Sequence, residues 1–168
     1  AKGLTSSYAP MGCMAVSDAI AEHFKSNVFW GGLTYNAHCL GLATAEAVID
    51  VMQEEELVEN SARMGVVMRR HMDRMKAKHR SVKSFRQIGL FGMMDLQKDE
   101  KGTPMAPYNG TSDAMNALGA HFRSSKLFTF VRWGSFMCNP PLCITEAQLE
   151  AAFAIIDRGL DITDASMS

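Results

Sequence analysis

Long apolar runs are missing from this 168-residue sequence, and with them the means of crossing a bilayer as a helix, since no stretch approaches the roughly 20 apolar residues a span requires. The opening residues, Ala1-Lys2-Gly3-Leu4-Thr5, lack the apolar centre of a secretory signal. An excess of one charge is missing too. Seventeen Lys+Arg against eighteen Asp+Glu leave a formal charge of -1, so no global field draws the chain to nucleic acid or to an anionic membrane. Cysteine is sparse: Cys13, Cys39, Cys138 and Cys143 form no CxxC pair and no zinc-finger ladder, and read as reduced thiols of a cytoplasmic protein. The histidines (His23, His38, His71, His79, His121) include no HExxH and no i,i+4 pair, which argues against a catalytic metal. A GxSxG elbow and a Walker loop are also absent.

What is present is a globular composition, 47% hydrophobic, with thirteen methionines suited to filling irregular core gaps. Gly3, Pro10 and Gly12 make the first dozen residues a loop, which leads to a short strand at about residues 12–16 and a short helix at about 18–24. After Gly31-Gly32 a helix is predicted over residues 36–54. Its first half is apolar on most faces and should be buried between layers or subunits. In the next helix, residues 57–78, Met64, Met68, Met72 and Met75 form an amphipathic stripe. The basic residues between Arg69 and Arg80 alternate with that stripe as a solvated face, and the acidic run Glu54-Glu55-Glu56 offers them partners.

Residues 82–96 read as two strand pieces with a bend or bulge at Gly89 and Gly92. A loop over 98–110, a helix over 112–125, an aromatic strand at 128–133 and a second short strand at 135–138 follow, ended by Pro140 and Pro141. The last helix opens on a capping box, Thr145 with Gln148, and buries Leu149, Phe153, Ile156 and Leu160.

Four segments carry chemistry. Lys2-Gly3-Leu4-Thr5-Ser6-Ser7-Tyr8-Ala9-Pro10-Met11-Gly12 resembles the cofactor-lysine motif of class III (ω-type) aminotransferases, departing from it at Ser7, where glycine is usual. Gly31-Gly32-Leu33-Thr34-Tyr35-Asn36-Ala37-His38 resembles the segment before that family's long interdomain helix, with Ala37-His38-Cys39 where Gly-His-Pro is usual. Gln87-Ile88-Gly89-Leu90-Phe91-Gly92 is similar to a glycine-punctuated strand of its small domain, and Asn139-Pro140-Pro141-Leu142-Cys143-Ile144-Thr145 to the stretch before its last helix.

The resemblance implies an α/β class and the fold type I of transferases that depend on pyridoxal 5'-phosphate (PLP). Residues 1–54 would be the end of the large cofactor-binding domain with the interdomain helix. Residues 55–168 would be a C-terminal small domain of helices on a short, mostly antiparallel sheet. It implies Lys2 as the catalytic residue, holding PLP as a Schiff base and then moving protons. Thr34 would donate to the cofactor phosphate of the neighbouring subunit in a homodimer, and Arg132 would grip the substrate carboxylate, unless it is simply a strand-edge arginine stacked on Trp133.

The implied reaction moves an amino group from an ω-amino acid or amine, of a taurine or β-alanine type, to a 2-oxo acid such as pyruvate. The family's upstream half, with its phosphate loop, ring-stacking aromatic residue and aspartate, has no counterpart in this sequence. The chain alone is therefore expected to be inactive. Two other functions remain open: another PLP reaction on the same scaffold, such as decarboxylation or racemisation, and a non-catalytic dimerisation or interaction fragment.

Overall fold

The computed structural model describes residues 3–168, in two units, Ala1–Glu56 and Leu57–Ser168. In the first unit a chain of turns leads to α1 (Asp18–Ser26) and α2 (Cys39–Glu54). Residues 12–16 form no strand, contrary to the sequence expectation. A strand needs a neighbour for its N–H and C=O groups, and among the described residues this unit contains no other strand. Helix α2 starts three residues later than predicted, because Ala37 holds φ at +55°, outside the right-handed helical region. The expected burial of its first half is not met within this chain: only Gly41 and Ala45 are buried, while Leu40 and Leu42 stand exposed. With two helices and no sheet among its described residues, the unit offers no second layer to cover that face.

The second unit is built on a four-stranded antiparallel sheet of order β1-β2-β4-β3, with β1 (Val82–Ile88), β2 (Phe91–Leu96), β3 (Val131–Arg132) and β4 (Ser135–Cys138). The break between β1 and β2 is a tight hairpin rather than a bend: Ile88 pairs with Phe91, and Gly89 supplies the positive φ of +52°. The bulge lies at the far end, between Val82 and Ser84. The predicted aromatic strand shrinks to two residues. Trp133, at φ +54°, turns the chain sharply into β4, and Phe128 projects into solvent.

Helices α3 (Leu57–Lys78), α4 (Asp113–Ser124) and α5 (Glu146–Ala165) complete the unit; α3 packs on β1 and α5, and α4 on α5. Met68, Met72 and Met75 of the predicted stripe are fully buried and join Met94, Leu96, Phe122, Phe136 and Phe153 in one core. Alternation on β2, where Gly92, Met94 and Leu96 are buried, shows that a single face of the sheet meets this core. Ser112 caps α4 by accepting from Met115 N, and the Thr145–Gln148 capping box forms as read. The basic residues of α3 and of the turn after it find their partners mostly beyond that helix: Arg70 at Glu146, Lys78 at Asp157 and Arg80 at Glu100, with Arg69 on Asp73. Among the described residues no helix is long and apolar enough to cross a membrane.

Candidate functional site

Lys2 lies outside the described residues. The chain after it makes two successive turns, Ser6 N to Gly3 O at 3.1 Å and Tyr8 N to Thr5 O at 3.0 Å. Ser6 and Ser7 have φ of 49° and 69°. Position 7 thus demands a left-handed backbone, which accounts physically for the glycine that Ser7 replaces. The second motif behaves alike. Asn36 closes its turn by donating from Nδ2 to Gly31 O at 3.0 Å, and Ala37 takes the left-handed conformation a glycine would adopt without strain.

The residues just after the first turn and those of the second border one cavity of about 880 Å³ within the first unit, lined by Pro10, Met11, Cys13, Phe29, Tyr35 and His38 among others. Thr34 sits between Leu33 and Tyr35, both of which line it. Its side chain is exposed, and its hydroxyl makes no hydrogen bond among the described residues. A free hydroxyl on an open turn fits the donor that a phosphate needs, so the described residues of this unit are compatible with PLP held nearby.

Arg132 belongs to the second unit. Its guanidinium lies 4.4 Å from the centre of the Trp133 ring, so the stacked arrangement is real. It also lines a cleft of about 470 Å³ between α4 and β3, together with Asn109, Thr111, Asn116, Arg123 and Trp133. No Asp or Glu lines that cleft, and Arg132 has no carboxylate partner among the described residues. Cation–π stacking occupies the faces of a guanidinium and leaves its in-plane N–H groups available. Thr34 and Arg132 belong to different units. The Asn139-Pro140-Pro141 motif lines a separate, apolar cavity of about 380 Å³ with Phe128, Phe130, Met137 and Phe153.

Sequence reasoning missed one polar centre. His79, nearly completely buried, directs Nε2 at Asp157 Oδ1 (2.6 Å) and Nδ1 at Asp164 Oδ2 (2.8 Å). Burial pushes the Asp164 carboxyl up, but hydrogen bonds from Ser81 and His79 outweigh it and hold the group below the ordinary carboxylate range. Burial likewise raises Asp157, and the donors Lys78 and His79 bring it down. Asp157, Asp161 and Asp164 recur at i, i+4 and i+7 on α5, a signal the sequence does carry. His79, Asp161 and Asp164 could present three ligand atoms within 4.8 Å of one another, yet both ring nitrogens already face carboxylates. His71 is a different case. Burial and the nearby Arg74 hold it below the ordinary histidine value, while its Nδ1 lies 3.1 Å from Arg74 Nη2 and its ring stacks on Phe153.

Comparison with known proteins adds the remaining finding. Residues 1–160 match the family model described as Aminotransferase class-III. Putrescine--pyruvate aminotransferase of Pseudomonas aeruginosa is 28% identical over 169 residues, covering 99% of this chain and 36% of the relative. Taurine--pyruvate aminotransferase of Bilophila wadsworthia is 26% identical over 171 residues, covering 94% and 37%. A solved structure of taurine:2-oxoglutarate aminotransferase from Bifidobacterium kashiwanohense, in complex with PLP and glutamate, superposes with a TM-score of 0.91 at 31% identity, over 99% of this chain and 38% of that one. The chain therefore spans a little over a third of the length of these relatives.

Proposed function

The chain belongs to the class-III aminotransferases, and on that premise we propose that it serves a PLP-dependent transfer of an amino group from an ω-amino acid or amine to a 2-oxo acid, of which pyruvate is the simplest. The observation that carries the reading beyond family membership is the cleft at Arg132, an arginine without a carboxylate partner in a cleft without an acid. Residues 1–54 would close the cofactor-binding domain, and 55–168 would form the substrate-facing small domain.

PLP, when bound, supplies an electron sink for the carbanion left when the donor carbon loses a proton. The chain's own residues would do the rest. Lys2 would hold the cofactor through Nζ and afterwards accept and return a proton at the same atom, a task that requires the neutral amine. Thr34 would donate its hydroxyl proton to a phosphate oxygen of the partner subunit's cofactor, making the active unit a homodimer. Arg132 would orient the substrate by a bidentate grip on its carboxylate. A taurine or β-alanine type of donor is favoured, because two relatives that match nearly the whole of this chain are named for aminotransfer from putrescine and from taurine.

The test is incubation of the purified chain with PLP, borohydride reduction and peptide mapping. Label confined to Lys2 and abolished by Lys2→Ala supports the assignment. Label scattered over surface lysines sinks it for this chain and leaves the non-catalytic interaction reading in its place. Product analysis with taurine, β-alanine and putrescine separates amino transfer from decarboxylation or racemisation.

A further inference from the structure

The cleft between α4 and β3 carries more cationic capacity than one carboxylate uses. Arg123 lines it as well as Arg132. Elsewhere in this unit Arg69, Arg70, Arg80 and Arg86 each reach an Asp or Glu, whereas Arg123 and Arg132, the two arginines of the cleft, have no acidic partner among the described residues, a condition that Arg74 and Arg158 share outside it. The Arg123 head folds back along α4 over Gly119, where a methyl group would stand 3.4 Å from its Nη1, and Gly119 lines the same cleft. Thr111 Oγ1 donates to Asn116 Oδ1 at 2.7 Å. That bond uses the amide oxygen and leaves the Nδ2 protons of Asn116, another lining residue, unspent.

No Asp or Glu stands in the lining to balance this charge. The wall itself is set at some cost. Trp133 is a bulky residue at φ +54°, its ring tilted against Tyr108 with centres 4.3 Å apart and its ring centre 4.4 Å from the Arg132 guanidinium. Strain of that kind persists where surroundings over-determine it, and it clusters at ligand sites.

We propose that this cleft takes a small dicarboxylate, with one carboxylate on Arg132 and the second on Arg123 and the Asn116 amide. The proposal rests on the assignment of Arg132 to a substrate carboxylate and deepens it: among 2-oxo acids, the favoured acceptors are those with a second carboxylate. Arg123 is then a specificity-determining residue, since the one-carboxylate substrates do not need it.

The experiment is a calorimetric titration of the chain, at fixed ionic strength, with glutarate and with butyrate as its one-carboxylate counterpart. Wild type should bind glutarate about tenfold more tightly than butyrate. Arg123→Gln should bring glutarate down to the butyrate level and leave butyrate unchanged, Arg132→Gln should weaken both, and Arg158→Gln, which removes one positive charge outside the cleft, should change neither. Circular dichroism establishes that each variant is folded. Equal affinities in wild type, an unchanged glutarate affinity in Arg123→Gln, or an equal loss in Arg158→Gln would overturn the second anchor. With Arg132→Gln still weakening both acids, the Arg132 reading would stand; indifference to Arg132→Gln, or no saturable binding of either acid, would remove both.

Discussion

His79 and Asp157 meet at 2.6 Å through Nε2 and Oδ1, tying the end of α3 to the middle of α5. The opposite ring nitrogen is held at 2.8 Å by Asp164, so a side chain with almost no solvent contact lies between two carboxylates. An ionised carboxylate oxygen can only accept, so each contact is a hydrogen bond to a charged group, and the ring clamps the two elements together. Removing it in His79→Ala should cost about 1.5–3 kcal/mol, the range for hydrogen bonds to charged groups. Urea unfolding followed by circular dichroism should show a lowered midpoint with the slope retained. His79→Gln, which keeps a donor, should fall between wild type and alanine.

The same centre sets the response to acid. The folded-state values of Asp157 and Asp164 lie below the ordinary carboxylate value, because donors outweigh burial at both. Their contribution is therefore full above the unfolded value of about 4 and is lost as pH falls through the lower folded values. Stability measured between pH 6 and pH 2 should drop on the acid side of pH 4, and the drop should be shallower in Asp164→Asn. A decline already complete by pH 5 would point away from these carboxylates. His71 acts in its own window. Its lowered value means that the unfolded chain takes up the proton first, so stability begins to fall as pH drops below about 6.5.

The helices of the second unit were legible because their signals are local. The methionine stripe, the capping box and the Leu149, Phe153, Ile156, Leu160 stripe each lie within a few turns of one element, and all are realised. Two of the shortfalls arise where the deciding partner or backbone conformation lies outside the segment that was read. Residues 12–16 have strand-forming composition but no neighbouring strand among the described residues of their unit. Residues 128–133 are aromatic, yet the left-handed backbone at Trp133 limits the pairing to Val131 and Arg132. The His79 centre joins residues more than 75 positions apart, and no periodicity reports a contact of that separation. Thr34 and Arg132 were read from motifs, but the donor-rich setting of Arg132 owes as much to Asn116 and Arg123 on α4, which no motif marked.

Thiol chemistry should separate Cys138 from Cys39 and Cys143. Cys138 is buried on β4, and burial pushes its thiol up to about 12. At pH 8 its thiolate would be about one part in ten thousand, and the thiolate is the reactive form. Exposed Cys39 and Cys143 should take an aromatic disulfide reagent rapidly in the native chain, with Cys138 labelled only after denaturant is added. Peptide mapping by mass spectrometry reads the order. Early labelling of Cys138 would mean that the sheet opens locally at β4 under native conditions.

Gly65 tests how closely α3 approaches the hairpin. In an exposed helix, replacing glycine by alanine gains about 1 kcal/mol. Here a Cβ on Gly65 would lie 2.8 Å from Gly89 Cα and 2.9 Å from its C and O, all backbone atoms that cannot swing aside. The turn cannot retreat freely, because Gln87 Nε2 donates to Gly65 O at 2.8 Å and also to Gly89 O, bracing helix and hairpin together. Overpacking of this kind costs about 1–3 kcal/mol, which offsets the helical gain or exceeds it. Gly65→Ala should therefore be neutral to destabilising by up to about 2 kcal/mol in urea unfolding. Val66→Ala, at an exposed position one residue on, should be neutral or slightly stabilising because it removes a β-branched side chain from the helix. A clear stabilisation in Gly65→Ala would show that the hairpin can move away from α3, and that the glycine-punctuated turn at Gly89 is not held by this contact.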